Sequence, residues 1–497
     1  MPNDELFSSP IEVRGPLQST RSPRDREPND VYAEKLFQWQ QTRLQKRLDG
    51  EYQSQVFRLS ELVGGNLSTP LSVSRVRIEG ASKTRPGFLA RVVNPYLNDG
   101  AGIEQESTLE TVLQKTKEIT YALARTQLFK NIVPEIETPQ SSLAGVNEVD
   151  LVFRCEERSR LSLKSSTEVG NGDASASANV RLRNAFGGAE DLEGSVAYGM
   201  KTQHTYRLSL SAPLTGSMLT RGELTTYAID NDYQAWASCK EAQKGVKAAV
   251  STINSFGQHE LSYQAVMRHV HSLTPDASMS IRRSAGTSLK SSIHYNFIHD
   301  TRDDSVMGRR GMYFKLNHEL AGIGGDTSFA KIETESQASR QLFKGLHVSL
   351  ATRAGFLYPL GGKATMFSDR FKLGGPLNVR SFRHNSLGPR DHGDAVGGDT
   401  YWAAGLSFIG DLPKKPHWPL KPHVYINAGK LSTLDRTQPL KNALRDAVLN
   451  PSISVGIGLI YRFDPIRLEV NFGMPLVANK SDGYQRGFQI GFGLECL

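Results

Sequence analysis

At 497 residues the chain is longer than one hydrophobic core usually organises, so at least two units are expected unless one of them is a large closed β-structure. Hydrophobic residues make up 38% and mean hydropathy is −0.39; no apolar run approaches the ~18–20 residues of a membrane helix, but a β-barrel escapes that test because alternate residues face lipid and lumen. The net charge of +8 is spread without a clustered basic module, which argues against nucleic-acid binding, and three distant cysteines (Cys155, Cys239, Cys496) argue against a disulfide framework or zinc site.

Residues 1–28 are rich in Pro, Ser and mixed charge, lack an apolar h-region, and read as a disordered tail. Asp4, Glu5, Glu12, Asp25 and Glu27 argue against a cleaved mitochondrial presequence. If the chain is a barrel, the missing secretory signal fits an organelle outer membrane reached from the cytosol. Residues 29–70 read as a polar helical or linker segment, with Val31, Leu36, Trp39, Leu44 and Leu48 near helical spacing. Such a helix is either solvated or docks a partner. Residues 71–158 change texture: a strand at 73–78 ending at Gly80, helices at 85–93 and 108–126, then strands at 131–137 and 148–155. The order βααββ predicts a small two-layer domain whose open sheet edge can accept an added strand.

From 159 to 497 segment after segment alternates apolar and polar residues, as in Tyr206/Leu208/Leu210, Trp402/Ala404/Leu406/Phe408 and Ile466/Leu468/Val470/Phe472, with Gly, Asn, Asp and Pro between. Arg181, Arg207, Lys315, Arg467 and Glu469 fall between apolar neighbours. A soluble sandwich would turn such charges outward to water, so the alternation alone leaves both folds open. Length favours the membrane: the stretch suffices for about sixteen tilted strands of ~9–11 residues. In lipid only a closed barrel satisfies the backbone of such strands. The fold expected is membrane all-β, an antiparallel transmembrane barrel behind one small βααββ domain.

Within the barrel, residues 371–399 form a Gly/Asp/His-rich loop carrying Val379-Arg380-Ser381-Phe382, one permanent cation between two apolar anchors. Alone, Arg380 reads as a solvated loop charge or as a plug needing a polar partner. Enzyme chemistry finds little footing. His294, His299 and Asp300 come without a nucleophile elbow or metal-binding helix, and the glycines at 374–375 and 397–398 lack a Walker ending. No catalytic residue, metal or cofactor is expected.

Several stretches together resemble the outer-membrane β-barrel insertase family, also called the bacterial surface antigen family, and most of all its mitochondrial sorting-and-assembly branch. Residues 71–158 look like one polypeptide-transport-associated (POTRA) domain. Asp300-Thr-Arg-Asp303 with Gly308 and Gly311 resembles a strand-end motif, residues 379–382 the signature loop, and residues 452–497 with Pro465 and Pro475 the last strands. The resemblance implies the core channel subunit of the sorting and assembly machinery of the mitochondrial outer membrane, with the N-terminal domain in the intermembrane space. It implies unfolded porin-type β-barrel precursors as clients, recognised by their β-signal and templated at a lateral gate between first and last strands. Leu161, Ser162, Leu163, Phe488, Ile490 and Phe492 would line that gate. Membrane lipids, peripheral cytosol-facing subunits and a cristae-organising complex would be partners. A polypeptide-translocating pore of the same superfamily and a passive porin are the alternatives.

In this family the loop arginine holds the loop against the inner wall, which assigns that role to Arg380. The chain departs from the pattern twice: Ser381 stands where many relatives carry glycine, and Asn427 where bacterial relatives usually carry aspartate. Ser407 and Asn427 are therefore expected to receive Arg380 without a full carboxylate, a weaker clamp than a bidentate pair, with Glu469 as the alternative partner. The end of the chain, Gln485-x-Gly487-Phe488-x-Ile490-x-Phe492, resembles a β-signal itself.

Overall fold

The computed structural model describes residues 30–493 apart from 98–106, 140–144, 146, 171–172, 200–201, 305, 363–364, 413, 416–417, 435–437 and 464–465. The tail at 1–28, Pro465 and Cys496 lie outside the described residues. The chain forms two compact units, residues 1–72 with 106–113, and residues 73–105 with 114–497.

The first unit holds helix α1 (Asp30–Gly65) and the start of strand β1 (Pro70–Glu79), where Pro70 and Leu71 pair with Thr108 and Ser107 of the two-residue β2. Phe37, Leu44, Phe57 and Leu62 of α1 are exposed. In the second unit β1 continues, followed by α2 (Pro86–Leu97), α3 from Gln114 to Arg125, β3 (Phe129–Glu137) and β4 (Glu148–Glu157). Helix α2 runs four residues past the expected end, carrying Pro95 inside it. The apolar residues spaced along the helices, Val92, Val93, Ile119 and Leu123, are buried, as are Leu151, Val152 and Phe153 of β4. The sheet order is β2-β1-β4-β3, so β3 is an edge.

The remainder is one antiparallel meander of sixteen strands. These are β5 (Leu161–Gly170), β6 (Asp173–Arg183), β7 (Asp191–Gly199), β8 (Thr202–Pro213), β9 (Thr220–Asp232), β10 (Lys240–Asn254), β11 (Gly257–His271), β12 (Gly286–Asp300), β13 (Gly311–Gly325), β14 (Phe329–Phe343) and β15 (Leu346–Pro359). After a long connection bearing the two-residue strands β16 (Arg390–Asp391) and β17 (Asp394–Ala395) come β18 (Thr400–Gly410), β19 (Leu420–Ser432), β20 (Ser452–Phe463), β21 (Ile466–Val477) and β22 (Gly487–Gly493). Three short helices sit in the turns: α4 (Gln234–Ala237), α5 (Met279–Arg283) and α6 (Leu440–Val448).

The phase of burial decides between sandwich and membrane wall. Val424, Ile426, Ile457, Phe472, Met474, Phe488 and Ile490 are exposed, while Ser407, His423, Asn427, Ser454, Glu469, Asn471 and Gln489 on the other face of the same strands are buried. Apolar residues outside and polar residues inside suit lipid, and invert the arrangement water requires.

The two ends of the sheet, β5 and β22, lie against each other, yet no ladder joins them among the described residues. Among the described residues, the sheet expected to close into a barrel is therefore not closed by hydrogen bonds between its first and last strands. Strand β22 offers seven residues, and all seven are engaged by β21 on its other side.

In a meander, alternate turns share an end. The β6–β7 turn meets the turn after β1: the Arg85 amide donates to the Gly187 carbonyl at 2.7 Å, the Arg85 guanidinium pairs with Glu190 at 2.8 Å, and Asn184 Nδ2 donates to Thr84 Oγ1 at 3.0 Å. The long 360–399 connection leaves from the opposite end.

Candidate functional site

The 360–399 connection folds back into the interior instead of standing in solvent. Phe371, Leu373, Val379, Phe382 and Leu387 form one buried cluster with Leu357, Tyr401, Ala403 and Leu431 of the wall. Bridges Phe371–Gly398 and Leu373–Leu387 double the loop on itself, and Gly374 (φ +108°) and Gly375 (φ +137°) make the turn at its tip, where a Cβ is disfavoured. Ser381 also has positive φ, +67°. Glycine takes such a left-handed conformation freely, whereas serine accepts it at a cost of about 1–2 kcal/mol.

Arg380 is completely buried. Its Nε and one terminal nitrogen donate to Glu469 Oε2 at 3.0 and 2.8 Å, its other terminal nitrogen donates to Asn427 Oδ1 at 3.3 Å, and its guanidinium lies 4.8 Å from the centre of the Tyr425 ring. The second Glu469 oxygen pairs with Arg467, and Asn471 Nδ2 donates to Oε2 at 3.0 Å. Asn427 Nδ2 donates to the Asn378 carbonyl at 2.8 Å. The expectation of a clamp without a carboxylate is thus corrected. Register explains it: Glu469 on β21 stands opposite Ile460 of β20 and Gly491 of β22, facing inward with Asn471, so the carboxylate comes from β21 while β19 supplies the amide. Ser407, on β18, is buried but its hydroxyl has no hydrogen-bond partner, and it does not join Arg380.

The loop is also stitched to the last strand and the turn before it. The Ser381 amide donates to Gln489 Oε1 at 2.8 Å, Gln489 Nε2 donates to the Phe382 carbonyl at 3.1 Å, and the Gln485 amide donates to the Ser381 carbonyl at 2.9 Å. Phe382 bridges Tyr484, the Arg383 amide donates to the Gly483 carbonyl at 2.9 Å, and the Gly388 amide reaches Asp482 Oδ1 at 2.9 Å. Inward-facing glycines leave the room. A Cβ at Gly429 would meet Val379 at 2.8 Å, one at Gly491 would meet Leu377 at 2.8 Å, and one at Gly473 would collide with Ser381 and Tyr425. The glycines of the last strands accommodate the loop.

At the sheet ends, Leu161 (63% exposed) and Leu163 (71%) point outward on β5, as do Phe488 (57%) and Ile490 (47%) on β22, while Ser162 pairs in register with Arg181. The side chain of Phe492 lies outside the described residues. His294, His299 and Asp300 do not converge: His294 bonds Ser292 at 2.9 Å, His299 the Phe256 carbonyl at 2.6 Å, and Asp300 receives Arg302. No metal-holding cluster occurs among the described residues. Sequence reasoning gave Gln489, Asn471 and Arg467 no part in holding the loop. The signal available was phase, since each polar residue stands between two outward apolar ones.

Comparison with known proteins agrees with this geometry. The Omp85 superfamily domain matches residues 184–496. A SAM50-like protein of Schizosaccharomyces pombe is 33% identical over 446 residues, covering 88% of this chain and 94% of the relative. Sorting and assembly machinery component 50 homologs from Xenopus tropicalis and Homo sapiens are 32% and 31% identical over 432 residues, covering 86% of this chain and 90% of each. Among solved structures, BamA from Haemophilus ducreyi lacking POTRA domains 1–3 superposes with a TM-score of 0.70 at 16% identity, covering 85% of this chain and 84% of that one. An inward-folded loop locked by a buried arginine, a sixteen-stranded wall apolar on its outside and this extent of identity together place the chain in the Omp85 superfamily, as a relative of the SAM50 proteins.

Proposed function

We propose that this protein inserts β-barrel precursors into the mitochondrial outer membrane as the channel subunit of a sorting and assembly machinery. The observation that carries the reading is the seam: among the described residues β5 and β22 adjoin without a ladder, so each presents backbone donors and acceptors at membrane depth. Unpaired strand edges in lipid are costly, and an incoming strand satisfies them by β-augmentation. Leu161, Ser162 and Leu163 on one side and Phe488, Ile490 and Phe492 on the other form the gate at which the client β-signal is matched. The loop at 371–399, bound to β22 through Gln489, registers the state of that gate. Burial of the client's own apolar face supplies the free energy, so the reaction needs neither a cofactor nor a catalytic residue. Residues 71–158 act as a POTRA domain in the intermembrane space. Membrane lipids, peripheral cytosol-facing subunits and a cristae-organising complex are the further partners.

Disulfide capture tests the reading. Ser162→Cys is paired with single cysteines along the final strand of a radiolabelled porin precursor in isolated mitochondria. Crosslinks that follow strand register and vanish when the β-signal is mutated are expected. Crosslinks that ignore the signal and arise only at lumen-facing cysteines would mean a conduit, and would overturn insertion at the seam.

A further inference from the structure

The loop that meets β19 and β21 through Arg380, and β22 through Gln489, is gripped a second time, nearer its start and on a different wall. Asp369 accepts from Arg268 of β11 at 2.7 Å, both side chains nearly inaccessible, and its carbonyl accepts from Lys331 of β14 at 3.1 Å. Three residues on, the Lys372 ammonium stands 4.3 Å from the Phe367 ring centre, 5.0 Å from Trp236 and 5.4 Å from Tyr233. Phe367 packs into a cluster with Ala237, Cys239, Val270 and Ile281. Farther along, Asp394 accepts the Ser278 amide at 2.8 Å and Asp391 accepts the Ser280 hydroxyl at 2.7 Å. The loop is therefore moored to β11, β14 and the turns after β9 and β11 as well as to β19, β21 and β22.

The two walls differ in what holds them. Strand β11 is the seventh of sixteen and β21 the fifteenth, half the sheet apart. Strand β11 carries ladders along both edges over most of its length, whereas β22 is paired on one edge only among the described residues. A short strand with one ladder yields before a long one with two. Buried charge pairs specify a unique docking geometry because a slipped arrangement strands a charge.

We propose that Arg268, Asp369 and Lys372 form a fixed anchorage for the loop, so that the β9–β11 wall is the abutment against which the gate strands move. They are positioning residues: they touch no client, and they set where the loop holds β21 through Arg380 and β22 through Gln489. This deepens the insertase reading and rests on it.

The test uses the full chain in outer-membrane vesicles, with two readouts. Trypsin cleavage after Arg370 and Lys372 reports the anchorage without any client, and capture of a porin precursor by Ser162→Cys reports the gate. In Asp369→Asn, cleavage at these two sites should rise at least about tenfold, as a buried cation loses its partner. Cleavage after Arg383 should stay as in the parent, client capture should fall, and the exchanged pair Arg268→Asp with Asp369→Arg should restore both. Arg268→Gln, which removes the cation that Asp369 receives through a single 2.7 Å contact, serves where Asp369→Asn does not reach the membrane, and the same outcomes for cleavage and capture apply. Unchanged cleavage overturns the anchorage. Increased cleavage with undiminished capture overturns its positioning role. Absence of capture in the parent chain defeats the insertase reading alone, since the cleavage comparison still decides the anchorage.

Discussion

The β18–β22 wall and the β6–β9 wall belong to one sheet, yet their inner faces are built differently. Facing the loop, the last strands present Gly429, Gly456, Gly473 and Gly491 among buried Asn427, Glu469, Asn471 and Gln489. The earlier strands present Arg181, Arg207 and Arg221, with Arg181 and Arg221 sharing Asp191 at 2.7 and 3.3 Å, and their side chains remain partly accessible. A face that must receive a folded loop needs vacant volume and polar groups that pair with the loop. A face that meets water needs neither. Function is thus written in the size and pairing of inward residues, while the outward apolar rows are common to both walls.

The largest effect that sharpens this contrast lies at Arg380. Truncating one partner of a buried ion pair costs about 3–5 kcal/mol, most of it from the charge left behind. Here Glu469 keeps Arg467 as a second cation, which sets Arg380→Ala at the lower end of that range. Client maturation in isolated mitochondria should then fall severely, whereas the variant's own membrane insertion persists. Equal loss of both would reduce Arg380 to a structural part. Arg181→Ala on the accessible wall should change neither by a measurable amount, because exposed pairs contribute about 0–1 kcal/mol.

Much of this was legible in the sequence, and the gaps have physical causes. The strand meander followed from alternation, because a period of two survives in single sequences wherever one face meets lipid and the other does not. The loop was recognisable from its Gly/Asp/His-rich run at 371–399, and Arg380 from its apolar flanks. The carboxylate was not chosen first. Alternation says that Glu469, Asn427 and Ser407 all face inward, but the stagger between β19 and β21, which decides which of them reaches Arg380, depends on turn lengths and bulges such as the one at Ile453/Ser454. The role of the glycines of the last strands was not legible, because a sequence does not say what fills the space above a missing side chain. Ser381 carried a clue in its departure from glycine, which becomes meaningful only with its positive φ.

A second prediction separates the seat of the loop from the outward face by volume. At Gly473 a side chain would run into Ser381 and Tyr425, while at Gly194, in the outward row of β7 opposite the exposed Val180 and Leu208, the nearest neighbour is Leu208 at 4.0 Å. Gly473→Val should therefore displace the loop, with overpacking of about 1–3 kcal/mol, read as faster trypsin cleavage after Arg383. Gly194→Val should leave cleavage unchanged. Similar responses at both positions would mean that the glycines are not a seat for the loop.

The smallest effect concerns pH and the far side of the loop. Asp391 receives the Ser280 hydroxyl, pairs with His392 at 3.1 Å and receives the Ser280 amide at 3.1 Å. Led by the Ser280 hydroxyl, these bonds draw its carboxyl from the ordinary 3.8 down to about 2. A folded value below the unfolded one means the docked form binds fewer protons, so the contact contributes fully above the ordinary value and is lost as pH falls through about 2. Amide exchange at Ser280, corrected for intrinsic rates, should accordingly stay slow from neutrality through pH 4 and accelerate only below it. Asp391→Asn should exchange faster already at neutrality and show no added step in the acid range. The Arg268–Asp369 anchorage nearby should hold the rest of the loop through the same titration, because a hydrogen bond at an accessible turn is worth far less than a buried pair. If the whole loop were released together at the Asp391 titration, the wall would be held by its rim instead of by its buried charges, and the contrast between the two walls would have to be drawn the other way.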